Sequence, residues 1–317
     1  MSLVYRNPLP IKHIGDPFVL RAPDGQYYCY ATSAPDGFKA WVSPNLVDWR
    51  EAGHVYRRQP DSWGESDFWA PEVVFHQGRY FMHYTARWGK NHSLRMGVAV
   101  SDSPLGPFVD VFNRPMFDFG YAVIDGHVFF DDDGRKYFYY SRDCSENIVE
   151  GRHESHLYVM ELNDDLFSFC SEPLLLVKPE QEWETRHSNE WRWNEGPFVL
   201  KHTGRYYLMY SANFYASREY AVGYAVSDSP IGPFVKAAHN PVLAARGEEI
   251  SGPGHNSVTF APDGKTLMAV YHIHTDPQHP SGDRQVCMDR MGFDAEGRLF
   301  VEGPSHTLQW LLKDSDI

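Results

Sequence analysis

At 317 residues the chain is long enough for about two domains of ~150 residues. Charged residues make up 22% and hydrophobic residues 42% of the chain, which excludes a disordered protein, and the net charge of −13 makes nucleic acid and anionic membranes poor partners. Aromatic residues make up 15%, with 25 Gly and 22 Pro, a composition typical of many short strands joined by tight turns and often of a sugar-binding surface.

The chain ends and the cysteines give expectations about the cellular compartment. No apolar stretch is long enough to span a bilayer, and the first residues, 1–6, contain no apolar signal segment. The four cysteines are not spaced like metal ligands or redox pairs. A reduced cytoplasmic protein is therefore expected, or a secreted one if a signal peptide has been removed. The sequence predicts no particular oligomeric state.

Five segments repeat one pattern: a polar or acidic residue, a short apolar strand, a Gly turn and an aromatic strand. They cover residues 16–33, 71–86, 124–141, 195–212 and 255–271. Each hairpin is followed by a third strand and usually a fourth. Two of these later strands, in residues 96–108 and 222–234, are nearly identical, since both contain Ala-Val-Ser-Asp-Ser-Pro.

Four-stranded units of about 60 residues match the blades of a β-propeller, which leaves only short, protected sheet edges. The chain, residues 1–317, is therefore predicted to be one all-β domain. The predicted architecture is a five-bladed β-propeller with four-stranded blades that start near residues 16, 70, 124, 195 and 255. An open β-solenoid or a sandwich is the alternative, and four strands in each unit favour the propeller.

In a propeller the first strand of each blade lines the central channel, so the residues that open those strands meet at one mouth. Those residues are Asp16, Glu72, Asp125, Glu195 and His255. Burying four carboxylates together costs free energy unless they are paired, protonated or used in chemistry. Glycoside hydrolysis uses such a pair: one carboxyl protonates the leaving oxygen, while the other activates water or attacks the sugar. A wide gap between them predicts inversion, and a gap of ~5 Å predicts retention.

Three motifs stand in order in the first, third and fourth units: Gly15-Asp16-Pro17-Phe18, Ile124-Asp125-Gly126 and Asn194-Glu195-Gly196-Pro197. With these motifs, nearly the whole chain resembles glycoside hydrolase family 43, the inverting five-bladed propeller enzymes. The resemblance implies Asp16 as the general base, Asp125 as the pKa modulator and orienter, and Glu195 as the general acid. Gly126 stands where the family usually has proline, a mild departure that leaves the role of the aspartate intact.

The resemblance also implies residues that contact the sugar. Trp69 and Ala70 match a second-blade segment whose Trp lines the sugar subsite. Arg290 matches a fifth-blade arginine that contacts the sugar or the modulating aspartate, and it is expected to keep Asp125 ionised. His255 matches a channel histidine that is often near a bound calcium or a water cluster. No cofactor is expected to be required, and a structural calcium held by His255 through water is the one metal that the resemblance implies.

Other motifs have simpler interpretations. Residues 131–134, Asp-Asp-Asp-Gly, lack the spacing and the final Glu of an EF-hand and are predicted to form a hairpin turn. His272, His274 and His279 lack the HExxH spacing of a zinc site and are interpreted as part of a loop at the pocket rim. The Trp-rich run over residues 183–193 is either a loop that contacts sugars or a connection held down by aromatic packing.

The leading functional hypothesis is an inverting glycosidase that acts on an oligosaccharide or polysaccharide. The resemblance implies that it removes terminal α-L-arabinofuranosyl or β-D-xylosyl residues from arabinan- or xylan-derived oligosaccharides. An endo-arabinanase of the same family is one alternative. A non-catalytic sugar-binding propeller is a second alternative, and a related propeller with phosphorylase or fructan-cleaving chemistry is a third.

Overall fold

The computed structural model describes residues 3–311, and its regular structure is almost entirely β-strand. The predicted all-β class is therefore confirmed. The chain opens with β1 (Leu3–Arg6) and then forms sheet I from β2 (Gly15–Arg21), β3 (Tyr27–Thr32), β4 (Gly37–Ser43) and β5 (Arg50–Arg57). Sheet II consists of β6 (Gly64–His76), β7 (Arg79–Trp88), β8 (Leu94–Ser101) and β9 (Val109–Asp110).

The middle of the chain contains the two short 3-10 helices of the described residues, named η1 and η2. Its elements are β10 (Val123–Phe130), β11 (Lys136–Arg142), η1 (Cys144–Glu146), β12 (Ile148–Val149), β13 (Arg152–Glu154), β14 (His156–Leu162), β15 (Leu174–Val177), η2 (Glu182–Thr185) and β16 (Trp191–Arg192). Strands β10, β11, β14 and β15 form sheet III, whereas β12, β13 and β16 form a separate small sheet. Neither helix within residues 3–311 has the length and apolar character needed to cross a membrane.

Two further four-stranded sheets complete the fold. Sheet IV consists of β17 (Asn194–His202), β18 (Arg205–Ala212), β19 (Ala221–Ser227) and β20 (Val235–Lys236). Sheet V consists of β21 (Gly254–Phe260), β22 (Leu267–His274), β23 (Arg284–Phe293) and β24 (Leu299–Val301). The last described strand, β25 (Leu308–Leu311), pairs with β1, so the two ends of the described chain are hydrogen-bonded to each other.

The first strands of the five sheets contact one another in a closed series. Strand β2 contacts β6, β6 contacts β10, β10 contacts β17, β17 contacts β21, and β21 contacts β2 again. Within each sheet the four strands are antiparallel and follow chain order. The five first strands therefore meet around a common centre, and the later strands of each sheet lie further out.

Tyrosines on the second strand of each sheet supply many of the aromatic residues of the chain. Three of these tyrosines link neighbouring sheets. The hydroxyl of Tyr30 in sheet I donates to the carbonyl of Pro104 in sheet II at 2.7 Å. Tyr139 donates to the carbonyl of Pro230 at 2.6 Å, and Tyr207 donates to that of Gly297 at 2.7 Å. Because Pro104 and Pro230 end the repeated Ser-Asp-Ser-Pro sequences, those repeats supply the turns that accept a tyrosine from the preceding sheet. A buried ring with a satisfied hydroxyl fills the space between sheets without an unpaired polar group.

Candidate active site

Each first strand carries a β-bulge near one end, and the bulge re-aims one side chain. The residues at these five equivalent positions share a left-handed backbone, with φ between 43° and 59°, and they are Asp16, Ala70, Asp125, Gly196 and His255. Residues other than glycine adopt this conformation only where the surrounding structure holds them in it. Because the first strands meet around one centre, the five positions form a single ring, and Glu195 lies directly before one of them.

Glu72 does not belong to this ring, so the prediction that it opens into the same mouth is wrong. It lies two residues after Ala70 and pairs with His83 across the sheet, in the register after the bulge. Its carboxylate accepts a hydrogen bond from His127 Nδ1 at 2.8 Å, and His127 Nε2 accepts one from the backbone N–H of Val199 at 3.1 Å. The sequence itself indicates that Ala70, rather than Glu72, is equivalent to Asp16 and Gly196, because a proline follows each of these three positions.

Asp16 is surrounded by groups that favour its ionised form. Its Oδ1 accepts a hydrogen bond from Arg284 Nη1 at 2.7 Å and lies 3.3 Å from His255 Nδ1. Its Oδ2 accepts one from the hydroxyl of Thr32 at 2.6 Å. Burial alone would raise the pKa of Asp16, but Arg284, the neighbouring histidines and the Thr32 hydroxyl together hold it below its usual value. These contacts therefore favour the carboxylate form of Asp16 at neutral pH.

The arginine at the site is Arg284, and the prediction that placed Arg290 there is wrong. Arg290 lies six residues further along β23, opposite Met268, and its Nη2 donates to the backbone carbonyl of Trp310 at 2.5 Å. Arg284 lies at the end of β23 that faces the ring, and it contacts Asp16 rather than Asp125. A Cβ atom at Gly15 would lie 2.0 Å from the guanidinium carbon, so this glycine makes room for the arginine.

Asp125 and Glu195 are two buried carboxyl groups on neighbouring first strands. The Oδ2 atom of Asp125 accepts a hydrogen bond from the backbone N–H of Gly196 at 3.0 Å. Burial, reinforced by the negative charge of Asp16, raises the pKa of Asp125 to about 6, although His255 and the Gly196 N–H oppose the rise. No arginine contact holds Asp125 in the ionised form among the described residues.

Glu195 holds its proton more strongly than Asp125. Burial and then the charge of Asp125 raise its pKa well above the usual value, while the hydroxyl of Tyr220, which donates to Oε1 at 2.8 Å, lowers it in part. Because the charge of Asp125 acts on Glu195, the two carboxyls titrate as a pair, and burial favours the protonated form of Glu195. The surroundings therefore favour the ionised form of Asp16 and the protonated form of Glu195, and this difference matches the base and the acid of glycoside hydrolysis.

Two histidines pack against Asp16. His272 lies on β22 and is fully buried, and its Nδ1 accepts the backbone N–H of Asp16 at 3.1 Å. Burial, together with nearby Arg284, lowers the pKa of His272 well below its usual value, which favours a neutral imidazole. The interpretation of His272 and His274 as loop residues is wrong, because both are buried in that strand; His279 alone of the three lies outside a strand.

The site offers little for a directly bound metal. Calcium takes six to eight oxygen ligands. Within residues 3–311, no group of three or more His, Cys, Asp or Glu side chains is arranged to hold a metal ion. The His255 ring is already placed against Asp16. The residues therefore do not fit a calcium ion held directly by side chains, and an ion held through water beside His255 stays a prediction.

Trp69 and Ala70 lie near Thr32, whose hydroxyl binds Asp16. The backbone N–H of Ala70 donates to the Thr32 hydroxyl at 2.9 Å, and that hydroxyl in turn donates to Asp16. Trp69 is half-buried and lines a cavity of about 460 Å³ together with Thr32 and Arg284. The structure thus brings the predicted Trp to the edge of the site, within a cavity large enough for a sugar residue.

Comparison with known proteins agrees with the geometry. A family model described as glycosyl hydrolases family 43 matches residues 5–299. A crystal structure of a thermostable family-43 glycoside hydrolase is 50% identical, with a TM-score of 0.92, and the match covers 96% of this chain and 97% of that one. A β-D-galactofuranosidase of Aspergillus niger is 29% identical over 87% of this chain and 78% of its own length. A xylosidase/arabinosidase of Humicola insolens is also 29% identical, with 80% of each chain covered.

An all-β chain with such a carboxyl site and such relatives is a glycosidase that acts on carbohydrate. The chain belongs to glycosyl hydrolases family 43. The resemblance inferred from the three sequence motifs is thereby confirmed.

Two residues of the site escaped the sequence interpretation. Arg284 is the first residue of β23, and the pairing of β23 with β22 places that end of the strand at the ring. Tyr220 lies just before β19 in a stretch without a motif, and its contact with Glu195 spans 25 positions of sequence.

Proposed function

We propose that the protein is an inverting glycosidase that removes terminal α-L-arabinofuranosyl or β-D-xylosyl residues from arabinan- or xylan-derived oligosaccharides. The observation that carries the proposal is the contrast between the surroundings of two carboxyls: Asp16 contacts Arg284 and the Thr32 hydroxyl, which lower its pKa, whereas Glu195 is buried and its pKa is raised well above the usual value. The pentose is inferred from the Humicola insolens relative, which is named a xylosidase/arabinosidase.

In this proposal Asp16 is the general base. Its carboxylate accepts a proton from a water molecule as the water oxygen attacks the anomeric carbon. The contacts that lower its pKa also make it a weak base. In a transition state with oxocarbenium character the bond to the attacking water is only slightly formed, so a weak base that stays unprotonated is sufficient.

Glu195 is the general acid and Asp125 the pKa modulator. Glu195 donates its proton to the glycosidic oxygen as the bond to the leaving sugar breaks. The charge of Asp125 raises the pKa of Glu195, so that the proton is retained until it is needed. The hydrogen bond from the Gly196 N–H fixes Asp125 against the strand that carries Glu195.

The experiment is a comparison of wild type with Asp16→Asn and Glu195→Gln on 4-nitrophenyl α-L-arabinofuranoside and β-D-xylopyranoside. We expect wild-type hydrolysis of at least one of them and a loss of about 10³-fold or more in Asp16→Asn, which removes the base. The loss in Glu195→Gln should be smaller on these substrates, because 4-nitrophenolate leaves with little protonation, and should reach about 10³-fold on an oligosaccharide whose leaving sugar needs the proton. The anomer first released, followed by proton NMR, should be inverted. A retained anomer would contradict the assignment of Asp16 as a base.

The same panel separates the alternatives. A β-D-galactofuranoside belongs in it because one relative is named a β-D-galactofuranosidase. Cleavage of linear arabinan at internal bonds would identify an endo-arabinanase. Binding of sugars without hydrolysis of any substrate would identify a non-catalytic sugar-binding protein. No cofactor is part of the proposal, and activity that survives a chelator would exclude a required calcium near His255.

We also propose that the five four-stranded sheets are the blades of a single five-bladed propeller domain. The closed series of contacts among the first strands supports this architecture. An experimental structure tests it directly, and a different number of blades would refute it.

A further inference from the structure

A row of aromatic side chains leads away from the ring on the side of Glu195. The row consists of Trp191, Trp193, Phe214 and Tyr215, and neighbouring ring centroids are 6.4, 5.5 and 4.9 Å apart in that order. At its inner end the Tyr215 ring lies 5.0 Å from the guanidinium carbon of Arg284, which binds the proposed base. The aromatic row is therefore continuous with the candidate active site.

The chain places this row beside Glu195 through the ends of two paired strands. Strand β17 begins at Asn194, directly after Trp193, and β18 ends at Ala212, shortly before Phe214. Asn194 pairs with Ala212 in the register of sheet IV, and Glu195 pairs with the next residue back. The two tryptophans of the row thus lie just before β17, and Phe214 and Tyr215 lie just after β18, at the paired strand ends beside Glu195.

The row combines exposure with rigidity. Trp191 and Tyr215, at its two ends, are each 39% exposed, whereas Trp193 and Phe214 between them are half-buried. Trp191 stacks on His153 with ring planes 3° apart and centroids at 3.8 Å. His153 is itself fixed through its Nδ1, which is 2.9 Å from the backbone carbonyl of Cys144. Large rings held in place in this way lose little conformational entropy when a ligand packs on them.

We propose that the aromatic row binds the leaving part of the substrate, as a run of neutral sugar rings beyond the scissile bond. The inference rests on the proposed function, because the general acid must contact the glycosidic oxygen and the departing sugar must therefore lie beside Glu195. Sugar rings carry apolar C–H faces that pack on aromatic rings, while their hydroxyls remain in water. The protein is thus a glycosidase for oligosaccharides with several residues on the leaving side.

The test compares Trp191→Ala with wild type on substrates of increasing length. Trp191 is the outermost member of the row and has no catalytic role in the proposed function. We expect wild-type kcat/KM to rise from the 4-nitrophenyl pentoside to the tetrasaccharide, 1,5-α-L-arabinotetraose or 1,4-β-D-xylotetraose. The variant should lose about tenfold on the tetrasaccharide and stay within about twofold of wild type on the 4-nitrophenyl pentoside. Trp310→Ala is the matched control, since Trp310 is 52% exposed on β25, outside the row.

The outcomes separate the two proposals. If wild type hydrolyses the 4-nitrophenyl pentoside but shows no dependence on length, and Trp191→Ala matches wild type throughout, the aromatic row is not a sugar-binding site. If wild type hydrolyses nothing, the proposed function fails, and the row is then tested by calorimetric titration with the same tetrasaccharides. Binding that weakens about tenfold in Trp191→Ala supports the row even then, whereas equal or absent binding overturns it.

Discussion

The hydrogen bond from Tyr220 to Glu195 should influence the pH at which Glu195 loses the proton that it donates in catalysis. Tyr220→Phe removes one hydroxyl and keeps the ring that stacks against His272, with planes 4° apart. The hydroxyl donates to Glu195 Oε1 at 2.8 Å, and this hydrogen bond lowers the pKa of that carboxyl against the effect of burial. Its removal therefore disfavours the ionised form of Glu195 and should raise the pKa further.

The size of the shift follows from hydrogen-bond energies. A bond to an ionised acceptor contributes about 1.5–3 kcal/mol, and one to a neutral acceptor contributes about 0.5–1.5 kcal/mol. The difference of about 1–1.5 kcal/mol corresponds to roughly one pKa unit, because one unit equals about 1.36 kcal/mol. We therefore expect the basic limb of the kcat/KM profile to move up by about one pH unit in Tyr220→Phe. A weaker acid also transfers its proton more slowly, so the plateau should fall by less than about tenfold.

The assay is the pH dependence of kcat/KM on a 4-nitrophenyl pentoside, with Tyr207→Phe as the control. Tyr207 is equally buried and also loses a hydrogen bond, the one to Gly297, but it does not contact the carboxyl groups. Both variants should lose similar stability, and only Tyr220→Phe should change the profile. A basic limb that stays in place or moves to lower pH in folded Tyr220→Phe would refute Glu195 as the titrating acid.

Two further predictions concern stability. The pKa of Glu195 is raised above its ordinary value of 4.5, so the unfolded state loses this proton first, and stability should fall by about 1.36 kcal/mol per pH unit between that value and the raised pKa. Glu195→Gln should abolish this contribution, measured by urea unfolding from pH 6.5 to 8; an unchanged slope would count against a protonated Glu195. Arg284→Met should cost about 3–5 kcal/mol in the same assay because it removes the arginine that pairs with a buried carboxylate and leaves only Thr32 and the neighbouring histidines beside it. Arg290→Met, on the same strand, should cost less than about 1 kcal/mol, and equal losses would contradict the placement of the two arginines.

The parts of the molecule that the sequence predicted are those encoded locally. The alternating strands and Gly turns mark each hairpin, and the motifs around Asp16, Asp125 and Glu195 lie within single strands, so no pairing information is needed to find them. Glu72 was misplaced because one register shift at the bulge moves a side chain to another level of the channel. The apolar pattern fits either alignment, and only the proline that follows position 70 indicates the correct one.

The contacts between distant segments could not be predicted in the same way. Arg284 and Arg290 are both polar residues of one strand, so choosing between them requires the direction of that strand; in an antiparallel blade the third strand begins at the end where the first begins, which places Arg284 at the ring. That choice depends on the pairing of β23 with β22. Tyr220 reaches Glu195 only after the chain between β18 and β19 has folded back over the site.

The left-handed backbone of Asp16 and Asp125, with φ of 55° and 59°, decides which inactive variants suit substrate-trapping experiments. Asparagine tolerates this conformation better than most other residues, whereas alanine carries a Cβ without a side chain that can hydrogen-bond locally. Asn at either position should keep the loop geometry and remove only the charge, so a crystal soaked with substrate would show an undistorted complex. Alanine can hold this conformation, as Ala70 does with φ of 43°, but at Asp16 or Asp125 it would also remove the contacts to Arg284 or to the Gly196 N–H, so its inactivity would have more than one cause.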